Sequence, residues 1–212
     1  MRYHQRMEQS STRVTADLLL HLAHRATGAG QAPTLSSAQW SALRFFARAN
    51  RLSRTPSAFA RFHGTTRGTA SQTVKALVRL GYLERRLSDR DRRRSELHLT
   101  AAGNKALKDD PAEALVQAIG SLPASQRQAL EAAVRQLNEV LDAPDDGTFG
   151  SCGECCYLED AGTGDAACAL TGETLDAGDK QRLCCAFVAA HTENGQREAS
   201  DAPGCTQLAQ HE

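Results

Sequence analysis

The chain has 212 residues, of which 41% are hydrophobic and 24% are charged, which excludes collagen-like, rod-like and wholly disordered proteins. The net charge is zero, but the charges are unevenly distributed: residues 1–94 have a net charge of +13, and residues 95–212 have a net charge of −13. A basic half indicates a polyanionic partner, most often nucleic acid, although a solvated basic surface has the same composition. Apolar runs are far shorter than the roughly 20 residues of a membrane helix, and the first ten residues lack a signal core. We therefore expect a cytoplasmic protein with no membrane partner.

Three helices are predicted first. Apolar residues at helical spacing indicate a helix over about 7–26. Ser36 and Gln39 have the spacing of a capping box, which predicts the start of the second helix. Thr55, followed by a proline, is a typical helix start, and we expect Phe62 of this third helix to face the core.

A fourth helix and a β-hairpin follow. The helix is predicted over 66–80, and Gly81 ends it. Alternation of leucine with polar residues at 83–87 and at 97–99 predicts two short strands, joined by the charged segment 88–94. Helix, short helix, turn, helix and hairpin in this order predict a winged helix-turn-helix.

The C-terminal part predicts further helices, a linker and a cysteine-rich module. Thr100 caps a helix that Pro111 interrupts, and Ser125 caps a last helix that reaches Leu141. Residues 142–151 are typical of a linker. The fold class is therefore mainly α with a small β-wing, followed by a small module that a metal would staple.

The fourth helix and the hairpin tip have side chains that suit DNA recognition. A helix fits the major groove, where its exposed side chains hydrogen-bond to base edges. Arginines at a hairpin tip suit phosphates or a narrow minor groove. The alternative is a surface helix with solvated charges. The predicted DNA-binding residues are Thr66, Arg67, Gly68, Thr69, Ser71, Gln72 and Lys75 on the helix, and Arg90, Arg92, Arg93 and Arg94 at the tip.

Five short motifs lie between residues 35 and 103. They are LSSAQW (35–40), TRGTASQTVK (66–75), GYL (81–83), RDRR (90–93) and LTAAG (99–103). Together they resemble the MarR family of winged-helix transcriptional regulators, over about residues 7–142. That family often has an aspartate two residues before the wing arginine, where this chain has Ser88, so the anchoring of the wing differs in detail.

The resemblance implies a homodimer in which the terminal helices, 7–26 and 101–142, intertwine. It also implies two winged domains on a palindromic site in double-stranded DNA, and a cleft that can take a small-molecule effector. No nucleophile–base set or phosphate loop is evident, so we expect no enzyme activity. The expected units are an N-terminal dimerisation helix (1–34), a winged helix-turn-helix domain (35–100), C-terminal dimerisation helices (101–142), the cysteine-rich module (149–190) and a flexible tail (191–212).

All seven cysteines lie between Cys152 and Cys205. Clustered cysteines in a reducing compartment are more often metal ligands or redox groups than disulfides. Cys152 and Cys155 form a C-x2-C pair, and Cys168 and Cys184 complete the four thiolates that tetrahedral zinc or an iron–sulfur cluster requires. A unit of about 40 residues with few large apolar groups folds poorly without such a staple. The alternative is unpaired thiols in a flexible segment.

The spacing of the cysteines helps to choose between zinc and an iron–sulfur cluster. Structural zinc sites usually pair two C-x2-C knuckles, whereas one pair followed by two isolated cysteines is common around clusters. We therefore favour an iron–sulfur cluster, with zinc as the alternative. The stretches 149–155, 168–170 and 183–184 also resemble a cysteine-rich extension on a branch of MarR-type proteins, which leaves Cys156, Cys185 and Cys205 as extra thiols.

Two hypotheses follow from the sequence. The first is a dimeric DNA-binding transcriptional regulator, expected to be a repressor, with a cysteine-ligated metal centre that stabilises it or senses redox state or iron. The rival is a metal- or redox-handling protein whose helix-turn-helix mediates protein association. Salt dependence separates them, because DNA binding weakens steeply with salt.

Overall fold

The computed structural model describes residues 2–27, 35–87, 95–141, 149–160, 166–188 and 190. Its helices are α1 (Arg2–Ala26), α2 (Ser37–Arg48), α3 (Pro56–Phe62), α4 (Arg67–Arg79), α5 (Ala101–Ala106), α6 (Glu113–Gly120) and α7 (Ala124–Leu141). Its strands are β1 (Leu83–Leu87), β2 (Ser95–Leu99), β3 (Gly150–Ser151), β4 (Leu158–Asp160), β5 (Ala166–Cys168), β6 (Glu173–Leu175) and β7 (Leu183–Cys184). Over these ranges, no helix is long and apolar enough to cross a membrane.

Local capping starts α2 and α3 where the sequence predicts. The Ser36 hydroxyl accepts the Gln39 N–H at 3.3 Å, and the Gln39 side chain accepts the Ser36 N–H at 2.8 Å. The Thr55 hydroxyl accepts the Ala58 N–H at 3.1 Å, with a proline in the first turn. Both pairs satisfy amide groups that a helix start leaves without an intrahelical partner, so the two predicted starts are confirmed.

The main core lies between α2, α3 and α4. Phe45, Phe59 and Leu77 are fully buried there. Phe62 faces the core as predicted, with its ring centroid 4.9 Å from that of Phe45, but it is 40% exposed. As the last residue of α3 it lies at the edge of the core, with its ring centroid 5.3 Å from that of Phe149.

The predicted hairpin is confirmed in its two strands. β1 and β2 are antiparallel, and Leu83 pairs with Leu99 next to the core. At the far end of β1, Leu87 is 65% exposed because the strand extends beyond the core. The Leu97 N–H donates to the Arg54 carbonyl at 2.9 Å, which fixes the base of the wing to the segment before α3. The tip, 88–94, lies outside the described residues.

The helices after the wing differ from the prediction at one start. Thr100 caps α5 as predicted, and the helical path breaks near Pro111. α7 starts at Ala124, and the Pro123 carbonyl accepts the Arg127 N–H at 3.0 Å. Ser125 is therefore inside the helix, and the prediction that it is the cap is wrong. The first helix also begins earlier than predicted, at Arg2, and it contacts α6.

The cysteine-rich module contains two small antiparallel sheets. β3 pairs with β7, and β5 lies between β4 and β6. The assignment of 149–151 to a linker is wrong, because Phe149 packs against the main core and the next two residues form β3. The rest of the predicted linker, 142–148, and the predicted tail, 191–212, lie outside the described residues.

Gly103 permits a close backbone contact between α5 and the segment before β1. A Cβ atom built on Gly103 would lie 2.2 Å from the Tyr82 carbonyl oxygen, which is backbone and yields little. We expect Gly103→Ala to lower the free energy of unfolding by about 1–3 kcal/mol, as overpacking typically does. Gly120→Ala is the control, since a Cβ there meets no atom within 4 Å. Denaturant titration measures both, and equal stability of the two variants would contradict the prediction.

Candidate nucleic-acid interface and cysteine cluster

The exposed face of α4 is fixed by the opposite, buried face. Ala70, Val74 and Leu77 anchor the helix in the core. At its start, the Thr66 hydroxyl accepts the Thr69 N–H at 3.1 Å. The helix therefore has a fixed start and a fixed rotation. The predicted DNA-binding residues of this segment are exposed at Thr66, Arg67, Gly68, Thr69, Gln72 and Lys75, and half-buried at Ser71.

Space is open at Gly68. The nearest atom to a Cβ built there is the Thr66 hydroxyl, at an ordinary contact distance of 3.8 Å. Packing within the described residues therefore does not require glycine at this position. The predicted role of Gly68 in DNA binding stays a prediction.

A histidine lies in the turn before α4. The His63 ring stacks on Phe59 with centroids 5.3 Å apart, and its Nδ1 is 3.1 Å from the Ser41 hydroxyl. Burial lowers the pKa of His63, and the Arg44 guanidinium lowers it further. Both effects favour the neutral form of the ring. The next residue, Gly64, has φ of +60°, which favours glycine and lets the chain turn into α4.

A polar network supports the base of the wing. The Glu96 carboxylate lies 3.7 Å from an Arg54 guanidinium nitrogen and 3.1 Å from His98 Nε2. Burial lowers the pKa of His98, with a smaller effect from Arg54, while Glu96 opposes both. The wing arginines Arg90, Arg92, Arg93 and Arg94 are outside the described residues, so their role stays a prediction.

Two of the predicted metal ligands are in contact. Cys152 and Cys184 are buried, and a hydrogen bond from the Cys184 thiol to the Cys152 sulfur lowers the pKa of Cys152 to about 7. The same hydrogen bond, with burial, raises the pKa of Cys184. The Asn50 side-chain amide also donates to the Cys152 sulfur, at 3.6 Å. The contact therefore favours the thiolate form at Cys152 and the thiol form at Cys184.

The other two predicted ligands lie elsewhere in the same module. Cys155 packs against the apolar cluster that Cys152 and Cys184 form with Ala186 and Phe187. Cys168 lines a cleft together with Cys152 and Asp179. In the part of the chain that the structure describes, no three His, Cys, Asp or Glu side chains are close enough to hold a metal ion, and no disulfide joins these cysteines. Four cysteine thiols are suitable ligands for a four-thiolate metal site. In the structure, however, only Cys152 and Cys184 of these four are in contact with each other.

The module contacts both the winged unit and α7, and sequence reasoning missed these contacts. Cys185, predicted to be an extra thiol, is buried within the main core. Arg135 of α7 forms an ion pair at 2.9 Å with Glu154, between the two cysteines of the C-x2-C pair. Asn50 caps a 3₁₀ turn by accepting the Ser53 N–H. The Asn and Ser three residues apart were a capping signal for this turn, but no sequence signal indicated its contact with the module.

Comparison with known proteins identifies the winged unit. A sequence model of the MarR family matches residues 34–94. This segment is similar to the MarR family, and the match covers less than a third of the chain. It includes α2, α3, α4 and the hairpin strand β1, so the motif-based prediction is confirmed over this range. The cysteine-rich branch stays a prediction, and no curated protein matches the chain.

Several solved structures are similar to the chain in outline. A MarR/EmrR family transcriptional regulator from Acinetobacter sp. ADP1 is 18% identical with a TM-score of 0.48, over 65% of this chain and 96% of that one. FabT of Streptococcus pneumoniae, solved in complex with DNA, is 23% identical with a TM-score of 0.43, over 65% and 96% of the two chains. MepR of S. aureus, solved with ethidium bromide, is 16% identical with a TM-score of 0.42, over 62% and 96%.

Proposed function

We propose that the chain is a dimeric DNA-binding transcriptional repressor whose cysteine-rich module binds a metal centre. The observation that carries the DNA-binding proposal is the polar, basic and exposed face of α4 within a MarR family domain. Arg67, Gln72 and Lys75 on that face read or approach the major groove, and the wing arginines contact the flanking backbone. An effector in the cleft between the DNA-binding and dimerisation units is part of the same proposal.

DNA docking through α4 predicts different effects for two substitutions. Lys75→Ala should weaken binding to most duplexes and reduce the slope of log affinity against log salt by about one, because one phosphate contact is lost. Gln72→Ala should instead change the preference among sequences, by about 1–3 kcal/mol for a bidentate contact to adenine. Lys108→Ala removes the same charge from an exposed residue after α5 and is the control. Titrations of selected duplexes at several salt concentrations measure these effects.

The same titrations distinguish DNA binding from the rival hypothesis of protein association. If Lys75→Ala and Gln72→Ala bind a selected duplex as the wild type does, the docking is wrong. If the wild type itself shows no salt-dependent binding to any duplex, a helix-turn-helix that mediates protein association is favoured.

Homodimer formation is supported by apolar side chains exposed in the single chain. In α1, Leu18 is 58% and Leu22 is 48% exposed, one helical turn apart. Val134 and Leu137 of α7 are similarly exposed. Contiguous apolar surface of this kind is typical of an interface. We infer that α1 and the C-terminal helices of two copies cover each other.

Acidic side chains on α1 should prevent this association. We expect the double variant Leu18→Glu, Leu22→Glu to sediment as a monomer, because two charges would be buried without partners in the dimer. Leu87→Glu is the control, since it introduces the same charge at an exposed leucine of the wing. Analytical ultracentrifugation distinguishes the species. A double variant that stays dimeric would reject this arrangement.

The metal centre is proposed to be held by Cys152, Cys155, Cys168 and Cys184. The support is the C-x2-C spacing and the contact between Cys152 and Cys184. Cys155 packs against the cluster that contains this pair, and Cys168 lines the same cleft as Cys152. Bound metal would staple a module with a small core of its own. An iron–sulfur cluster would in addition respond to oxidants or iron supply, whereas zinc would only stabilise.

Loss of one ligand should leave an incomplete coordination shell. We therefore expect Cys155→Ser to lower the metal content per chain sharply, and to increase proteolysis within 149–190. Cys205→Ser, outside the proposed ligand set, should keep wild-type content. Metal analysis and absorbance spectra after anaerobic purification measure both. Wild type with neither iron nor zinc would refute the centre, and colourless protein with one zinc per chain would replace the cluster by zinc.

A further inference from the structure

A buried polar junction connects the cysteine cluster to the MarR domain. Asn50 is only 8% exposed, and Ser53 is fully buried. The Asn50 amide donates to the Cys152 sulfur at 3.6 Å. Its carbonyl oxygen accepts two hydrogen bonds from Ser53, one from the N–H at 3.0 Å and one from the hydroxyl at 2.7 Å. Both ends of one side-chain amide are therefore engaged, one by the module and one by the domain.

The module contacts this junction a second time through the segment around Cys184. The Asn50 N–H donates to the Leu183 carbonyl at 2.8 Å. The Cys185 N–H donates to the Ser53 hydroxyl oxygen, also at 2.8 Å. The residues on both sides of Cys184 are thus hydrogen-bonded to Asn50 and Ser53. A displacement of either cysteine of the contacting pair must be transmitted to these two residues.

The junction continues into the elements that present the DNA-binding surface. Arg54 follows Ser53, and its carbonyl accepts the Leu97 N–H from wing strand β2 at 2.9 Å. The next residue, Thr55, caps α3. The 3₁₀ turn after Asn50 is therefore shared by the cysteine cluster, the wing and the first helix of the helix-turn-helix. Its hydrogen bonds are buried, so an unpaired group there is costly and favours rearrangement of the turn.

We propose that Asn50 is a positioning residue that couples the state of the Cys152 sulfur to the DNA-binding unit. The inference rests on the proposed DNA-binding function and not on the identity of the metal. A thiolate sulfur, bound to a metal or not, keeps a lone pair for the Asn50 N–H. When the sulfur is displaced, or replaced by a serine oxygen on a shorter bond, this hydrogen bond is weakened or lost and the turn moves with it. Operator affinity then changes through the wing base and α3.

Asn50→Asp is the informative variant. The carboxylate keeps both acceptor bonds to Ser53 and remains a good cap for the turn, but it has no N–H to donate to Cys152. We expect it to weaken binding to a duplex that the wild type selects from random DNA by about five- to tenfold, within the usual range of coupling between sites. Asn104→Asp, the same change at an exposed residue whose amide donates to the Thr100 carbonyl, is the control.

A double-mutant cycle with Cys152→Ser tests the coupling. If Asn50 transmits the state of the sulfur, Cys152→Ser should change affinity less than twofold in the Asn50→Asp background, but fully in the Asn104→Asp background. Circular dichroism checks that each variant is folded. Fold-changes that multiply for Asn50→Asp and Cys152→Ser would overturn the proposal, as would wild-type affinity of folded Asn50→Asp.

The amide itself provides a readout that needs neither DNA nor a stable Asn50 variant. The chain has four asparagines, so ¹⁵N-asparagine labelling gives few side-chain amide signals. The pair from Asn50 should shift between wild type and Cys152→Ser, while the pair from Asn104 should not. An unmoved set of signals would overturn the proposed contact. If the Asn50 signals differ between wild type and Cys152→Ser but the wild type binds no duplex, the proposed DNA-binding function is refuted and the proposed contact stands.

Discussion

The burial of one face of α4 is the constraint on which the rest of the molecule depends. Ala70, Val74 and Leu77 fix the rotation of the helix, and this rotation decides which side chains remain outside. The caps at α2, α3 and α4 add precision, because each start is held by a side chain within a few residues. A surface for a rigid ligand such as duplex DNA requires this kind of fixed presentation.

The cysteine-rich module depends on the winged unit for part of its packing. Its own buried cluster is small, and it gains stability by inserting Phe149 and Cys185 into the margin of the larger core. The Arg61 guanidinium lies over the Phe149 ring, 5.6 Å from its centroid, which adds a cation–π contact at the same margin. The module is thus packed as an extension of the winged unit.

Sequence reasoning succeeded where the determinants are local. Capping residues and helical periodicity predicted α2, α3 and α4, and alternation of apolar and polar residues predicted the hairpin strands, because those signals act over three to five residues. Ser125 was misassigned and the exposure of Phe62 was not foreseen, since the choice between adjacent starts and exposure at a helix end depend on neighbouring elements. The contact of Asn50 with Cys152 joins residues 102 positions apart, and no local pattern encodes it. For the metal site, spacing alone proposed four ligands, while the fold unites two of them.

The anchoring of Phe149 has a mechanical consequence for the chain. Eight peptide steps separate it from Leu141 at the end of α7, and a chain of that length spans at most about 29 Å. Within one chain, α7 and the winged unit are therefore connected through Phe149 as well as through the chain between β2 and α5. The distance between Leu141 and Phe149 cannot exceed this limit while the winged unit moves relative to α7. A larger movement of the winged unit away from α7 would require the Phe149 ring to lose its contacts with Phe45 and Phe62.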